Sequence, residues 1–450
     1  MTRLRTGITT GTCAAAAAKA AAMILIGRPS PESVDLTLPD GQILTVPILY
    51  ARPDSADRVA CPQPARPVAG CRSRGHEPES GDPMPRQTAA WACHPREPSR
   101  QEVSGTPVSR AVAAVRKDAG DDPDVTDGLT VVVTVGPATG DETEFLAGDG
   151  VGTVTKPGLQ VPPGQPAINP VPRRMIAAAV AEVTDRPLTV EVAIPGGREV
   201  AARTFNPRLG VVGGLSILGT TGVVRPYLRK AVEDSLRCAL DVAAACGVRR
   251  PVLVPGHIGE RAARSHFALA DEQLIEVGNE WGYVLGLLGG YPFEAALVAG
   301  HPGKLAKLAA GEWDTHSARS AGVAEALGAL CGAVLGRPAP ESPTAEGVFA
   351  ALEPPDRRRL ADALAARIRA AVERKVGDAS GGSAQGWHGH APLRDREPPA
   401  QARTRSRKQP RDRATPVTNA LRGGSMTVAV VVINMAGDVL GSDGDLSPWR

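Results

Sequence analysis

Lys156, Arg173 and Arg174 are spread through residues 148–176, GDGVGTVTKPGLQVPPGQPAINPVPRRMI, a 29-residue stretch with five glycines and six prolines. That composition excludes a regular helix or a central strand. Proline restricts the backbone at low entropic cost, and glycine at 148, 150 and 152 lets another molecule approach the main chain. An ordered loop carrying three cations suits a large anionic ligand; the competing reading is a proline-rich surface connection. Upstream, Lys117 to Gly128 reads KDAGDDPDVTDG, with carboxylates at 118, 121, 122, 124 and 127. Such a cluster can bind a hard metal, hold ribose hydroxyls or accept a proton. It departs from the EF-hand pattern, and Asp and Gly are also ordinary turn formers.

Three further stretches have ligand-binding chemistry. GITTGTC (7–13) places Thr9 and Thr10 at the start of an alanine helix, whose N-terminal N–H groups suit a carboxylate or phosphate. Packing of that helix against another element is the competing role. GGLSILGTTG (213–222) is a glycine-rich turn of the kind that forms ligand crevices in doubly wound folds. It lacks both the G-x-G-x-x-G spacing and the Walker lysine, which counts against NAD and ATP. AGHPGKLAKLAAG (299–311) and DTHS (314–317) follow an apolar strand, with His301 at its carboxyl end and Lys304 and Lys307 on one helix face. His316 can carry a proton near neutral pH. Cys61, Cys71, His76, Cys93 and His94 are metal-ligand types, but their spacing fits no zinc pattern, and no protein-bound metal is expected.

The elements that must position these residues follow from composition and periodicity. A chain of 450 residues suggests two or three domains. A net charge of +3 and 3% aromatic residues give neither the field nor the stacking platforms of a nucleic-acid binder. The basic run at 403–413 reads as a solvated linker. Seven cysteines without a C-x-x-C pair fit a reducing cytoplasm. Arg3 and Arg5 before the alanine run mimic a signal peptide, but Lys19 interrupts the run and no stretch is apolar enough to span a bilayer.

Residues 51–105 and 377–425 are polar, basic and poor in large apolar side chains, so both are expected to be disordered. Between and around them, 34–48 predicts a hairpin turning at Asp40-Gly41, 129–135 and 188–194 predict strands, and 13–26, 108–117 and 173–184 predict helices. These make an α+β domain ending near residue 205. From 206 the rhythm is strand–loop–helix: 210–218, then a helix at 228–246, strand segments at 251–256, 275–278 and 295–303, a helix starting near Lys304, and a helix at 356–376. This is the pattern of a parallel, doubly wound sheet. The β-branched run 426–441 completes it, so that 377–425 lies within a domain rather than after it.

In these motifs the chain resembles the cobalt-precorrin-5B C(1)-methyltransferases, the CbiD family. The resemblance rests on RTGITTGTCAAAAAKAA (5–21), VRKDAGDDPDVTDG (115–128), the 148–176 loop, NPRLGVVGGLSILGTTGVVRP (206–226), GNEWGYVL (278–285) and LVAGHPGKLAKLAAGEWDTHS (297–317). It implies transfer of a methyl group from S-adenosyl-L-methionine to C-1 of a ring-contracted cobalt corrinoid, giving cobalt-precorrin-6A. It also implies an N-terminal α+β domain similar to the ribosomal S5 second domain and a C-terminal Rossmann-like domain. Read in that light, the macrocycle's carboxylate arms call for Lys19, Lys117, Lys156, Arg173, Arg225 and Lys304, with Thr9 and Thr10 beside them. The donor is expected against Gly213, Gly214, Gly219, Thr220, Thr221 and Gly222 and against Gly300 and Gly303. Asp118, Asp122, His301 and His316 are the expected catalytic groups. Contacts with nucleic acid or membrane are not expected; a homo-oligomer and transient contact with neighbouring pathway enzymes are. The alternatives are a non-catalytic tetrapyrrole carrier and a phosphotransferase using the glycine loops.

Overall fold

The computed structural model describes residues 4–54, 108–226, 229–316, 323–381 and 426–450. The cysteine and histidine cluster at 61–94 and the basic run at 403–413 lie outside the described residues, as does most of both biased segments. The fold is mixed α/β.

In the first half, β1 (Gly7–Ile8) leads into α1 (Thr10–Leu25), followed by the hairpin β2 (Ser33–Thr37) and β3 (Ile43–Pro47). Next come β4 (Tyr50–Pro53), β5 (Ala111–Arg116), β6 (Thr130–Pro137), β7 (Glu144–Ala147) and β8 (Thr153–Val154). The remaining elements are α2 (Pro170–Ala181), β9 (Leu188–Ala193), α3 (Gly197–Ala201), β10 (Val211–Val212) and β11 (Val223–Val224). A five-stranded sheet runs β4-β5-β6-β9-β7, antiparallel except for the β7–β9 pair. Alanine has the best helix propensity, and a helix apolar on all sides must be buried. Both hold for α1, whose residues 13–18 and 20–22 are fully buried between the sheet and α2. Its Thr9 side chain caps the helix by accepting from the Thr12 N–H.

The helix expected at 108–117 is instead the strand β5. Its residues Ala111–Val115 are buried on both faces, and β4 and β6 supply hydrogen bonds along both edges. Tertiary pairing overrides the helical preference of its alanines here. Residues 51–53 belong to β4, not to the biased segment.

The second half comprises α4 (Arg229–Ala245), β12 (Val252–Val254), α5 (His257–His266), β13 (Leu274–Glu276), α6 (Trp281–Leu288) and β14 (Ala295–Gly300). It continues with α7 (Pro302–Ala309), α8 (Val323–Leu335), α9 (Ala345–Ala350), α10 (Pro354–Gly381), β15 (Thr427–Ile433) and β16 (Val439–Asp443). The sheet order is β13-β12-β14-β15-β16; the first four strands are parallel and β16 is antiparallel. Apolar side chains of α5 and Trp449 cover one face, and those of α4 and α6 to α10 cover the other. The run expected as one strand at 426–441 is a hairpin whose first arm is an interior strand, buried over 428–433. Residues 377–381 continue α10.

The expected boundary at 205 does not match the pairing. Strand β10 pairs with β8 and β11 with β1, and Leu215 and Ile217 belong to the first core. The stretch 210–218 is accordingly not a strand of the second sheet; only Val211–Val212 is extended into a ladder.

The glycines of the 148–176 loop are demanded by the protein's own backbone. Gly150 has φ +73°, and a Cβ there would lie 1.9 Å from the Ile194 carbonyl oxygen. A Cβ on Gly152 would stand 2.5 Å from Val211. Substituting Gly150→Ala is expected to destabilise the protein by about 2–4 kcal/mol, measured by urea unfolding, because neither the dihedral nor the carbonyl can yield cheaply.

Candidate functional site

In an open parallel sheet, ligands bind outside the carboxyl ends of the strands, where successive connections leave in opposite directions. Here that point lies between β12 and β14: the chain passes from β12 to β13 on one side and then crosses back to β14 on the other. Three turns meet at this edge. Pro255-Gly256-His257 follows β12, Val277-Gly278-Asn279-Glu280 follows β13, and His301-Pro302 follows β14. The Val277 N–H donates to the Val254 carbonyl, and Gly300 packs so closely on Pro255 that a Cβ would lie 2.8 Å from the ring.

Polar side chains join the turns. The Lys304 ammonium donates to Asn279 Oδ1 at 2.5 Å, and Lys307, itself buried, donates to the Thr315 carbonyl at 3.0 Å. Burial, and then the neighbouring Lys307, pull the Lys304 pKa down, with Asp314 opposing. Burial likewise lowers His301, which N-caps α7, against the opposing field of Glu346. His316 is exposed, and its backbone N–H donates to Asp314.

At the other end of the edge, Arg208 reaches from the first half and donates to Glu260 at 2.7 Å and Glu276 at 3.0 Å. His257, Glu260 and Glu276 bring ligand-type atoms within 4.8 Å of one another. Arg208, together with Arg264 on Glu260, already supplies the positive charge those two carboxylates require. Beside them, a cleft of about 740 Å³, counted to its open mouth, runs between α4 and β13. Its walls are largely apolar and include Leu236, Ala239, Val242, Ile275 and Val277.

The other expected site residues lie on the first half or across the junction. The α1 N-terminus is closed by the chain itself: Gly11 N–H donates to the Leu218 carbonyl, Thr9 N–H to the Gly222 carbonyl, and Thr10 Oγ1 bonds both backbone groups of Leu218. Gly214 packs on Gly150, Gly219 on Thr9 and Gly222 on Leu38, whereas Gly213, Thr220 and Thr221 are exposed. The two stretches expected to share the donor, 213–222 and 299–304, thus have different neighbours: α1 and the first core for one, β12 and Asn279 for the other.

Among the expected cations, Lys19 pairs with Glu182, Lys117 is buried against Asp124, and Lys156 pairs across the junction with Glu272. Arg173 donates to the carbonyls of Ile168 and Pro166 and lies over the Phe145 ring, so it braces the loop that carries it. Arg225 and Arg174 are exposed and make no ion pair among the described residues. The acidic segment is a self-satisfied turn. Asp118 accepts from Arg5 and Gly120, Asp124 from Thr126 and Lys117, and Asp127 from Ala119. Asp122 is half-buried in the same turn.

Arg208, Glu260, Glu276, Asn279 and Glu280 are absent from the sequence-based expectation. The usable signal was VPGHIGE, a glycine turn after a strand, with an acid at the end of the next strand about 20 residues on.

Comparison with known proteins identifies the family of the chain. The CbiD family model matches residues 1–63 and 99–226, ending where the chain leaves the first half. The cobalt-precorrin-5B C(1)-methyltransferase of Syntrophotalea carbinolica is 42% identical over 452 residues, spanning 100% of both chains. This chain belongs to the CbiD family. Other CbiD-family relatives of that name, from Paramagnetospirillum magneticum and Moorella thermoacetica, are 39% and 38% identical over 70% and 74% of this chain and 76% of each of theirs. A crystal structure of the cobalamin biosynthesis protein CbiD from Archaeoglobus fulgidus is 25% identical, covers 70% of this chain and 83% of its own, and superposes with a TM-score of 0.33.

The Arg5 hydrogen bond, followed by that of the Gly120 N–H, holds the Asp118 carboxyl below its ordinary pKa of 3.8. The stabilisation from this pair is therefore complete above that pH and is lost as the pH falls through the lowered value. Arg5→Ala is expected to lower stability modestly at neutral pH and by progressively less below about pH 4, which flattens the acid limb of the stability–pH curve read by thermal denaturation.

Proposed function

We propose that this chain transfers a methyl group from S-adenosyl-L-methionine to C-1 of cobalt-precorrin-5B, giving cobalt-precorrin-6A in anaerobic cobalamin biosynthesis. The observation that carries the reading is full-length similarity at 42% identity to a relative bearing that activity as its name. The donor brings an electrophilic methyl group on a sulfonium; cobalt enters with the substrate. What the protein must do is hold two ligands in line and keep water out.

The carboxyl edge of the second sheet has the means. Glycine turns at 256, 278 and 300 permit close approach, and the largely apolar walls of the cleft offer a surface from which a bound ligand displaces water. Lys304 and Lys307 give the edge positive charge, with no carboxylate within ion-pair distance among the described residues. Arg225 lies four residues before Arg229, which pairs with Glu280 in the turn after β13. Four residues span at most about 14 Å, which sets the greatest separation of Arg225 from Arg229 along the chain. We assign Arg225 and Lys304 to the carboxylate arms of the macrocycle, Gly300 and Gly303 to the donor side, and His301 and His316 to any proton movement. Lys19, Lys117, Lys156, Arg173, Asp118 and Asp122 serve the fold that presents them, as do Thr9, Thr10 and the 213–222 glycines.

The first half is read as similar to the ribosomal S5 second domain and the second as Rossmann-like, dividing near residue 227. The parallel strand order with helices on both faces supports the latter. Among the described residues no helix is long and apolar enough to cross a membrane, and Cys13, Cys238, Cys246 and Cys331 are free thiols. The free thiols suit a reducing cytoplasm; the substrate is the cobalt-precorrin intermediate, and a second copy and neighbouring pathway enzymes belong to the proposal.

Incubation under anaerobic conditions should yield S-adenosylhomocysteine only when cobalt-precorrin-5B is present. Macrocycle binding without that product would make the protein a carrier, and thermal stabilisation by ATP would favour phosphotransfer. Arg225→Ala is expected to raise KM for the corrinoid about tenfold, the loss of one charge-assisted hydrogen bond, with KM for S-adenosyl-L-methionine and kcat little changed.

A further inference from the structure

The cleft between α4 and β13 has no role in the macrocycle assignments above, and its chemistry is that of a nucleoside site. One end is apolar: Leu236, Ala239 and Val242 of α4 face Ile275 and Val277 across it. The other end is Glu276, the last residue of β13, placed beside the turn that follows β12. A Cβ on Gly256 would stand 3.7 Å from Glu276 Oε1, so the glycine leaves open the space next to that oxygen. A Cβ on Gly259 would lie 2.8 Å from the Ala299 carbonyl, so this second glycine lets α5 settle closely on β14. The α5 N-terminus, ten residues long, has no side-chain cap. A glycine turn for close approach, a second glycine for helix–strand packing and a carboxylate at the next strand's end form the arrangement that binds a nucleoside's ribose at a switch point.

We propose that this cleft takes the adenosine of the methyl donor, the base lying against the apolar wall and Glu276 accepting from the two ribose hydroxyls. The assignment rests on the methyl-transfer reading and extends it to residues outside the expected donor turns. Glu276 has the capacity: Arg208 occupies Oε2, and a carboxylate offers about four acceptor positions. Arg208 is fastened independently by Glu260, which also pairs with Arg264, so two guanidinium groups face the two carboxylates while Glu276 Oε1 stays available. A purely structural clamp needs the two carboxylates but neither the glycine turn nor the apolar cleft beside it.

The test is calorimetric titration of the full-length protein with S-adenosylhomocysteine and with its 2′-deoxy analogue. Wild type should bind the former at least about tenfold more tightly than the latter. Glu276→Gln should lose most of that preference and weaken S-adenosylhomocysteine binding by a similar factor. Ala239→Phe, which fills the apolar end, should abolish binding of both. Glu260→Gln, which loosens Arg208 but leaves the ribose acceptor, should keep the affinity within about threefold. Circular dichroism melts of each variant separate loss of fold from loss of ligand. Binding to wild type that neither Glu276→Gln nor Ala239→Phe alters would overturn the pocket while leaving the methyltransferase reading intact. No binding to wild type at all would overturn both.

Discussion

Close approach of one backbone to another governs this structure. Gly7 packs on Ala119, Gly120 on the carbonyl of Arg5, Gly214 on Gly150, Gly219 on Thr9, and Gly158 on the backbone of α4. At each position a Cβ would stand well inside contact distance of its neighbour. The N-terminal segment, the acidic turn, the proline-rich loop and the 213–222 turn therefore form one glycine-packed junction against the end of α1. The alanine face of α1 serves the same purpose, since small side chains let the sheet and α2 close on it from both sides. Apart from the short strand β8 and the first turns of α2, the 148–176 stretch stays ordered without regular structure because its prolines restrict it and its glycines seat it.

That junction positions the second half through a small number of charges. Lys156 meets Glu272, Arg208 meets Glu260 and Glu276, and Arg229 meets Glu280. Each pair has at least one partly exposed partner, so each contributes modestly to stability. Their main effect is directional. The Lys156 and Arg208 pairs fasten the first half to the second near β13 and α5, whereas the Arg229–Glu280 pair ties α4 to the turn after β13 within the second half. The same pairs remove from the ligand-binding inventory cations that would otherwise seem available.

The 148–176 loop illustrates how such a motif is read. Its composition and cations suggest a cradle for an anion. In the structure Lys156 is an inter-half pair, Arg173 braces carbonyls within the loop, and Gly150 and Gly158 face neighbouring main chain. The loop reaches the second half through Gly158 against α4 and thereby shapes one side of the junction. Its regular spacing reflects packing, and packing constrains residue type as tightly as catalysis does.

Features that depend on short-range pattern were legible in the sequence. The alanine helix, found at Thr10–Leu25 against an expected 13–26, follows from propensity and Thr capping. The 34–48 hairpin turns at Asp40-Gly41, where φ of the glycine is +84°. The short apolar strands ending in glycine became the parallel strands β12 and β14, because burial on both faces requires an unbroken apolar run. The family was legible too, since its motifs are contiguous. Tertiary structure alone decided the rest. Residues 108–117 became a strand because two neighbours offered hydrogen bonds that no local term registers. The 206–226 stretch joined the first half because its partners, β8 and β1, lie far away in sequence. Glu276 met Arg208 and Gly256 for the same reason. Each is ordinary in its own segment, and chemistry arises only where the strand order brings three separate turns to one edge.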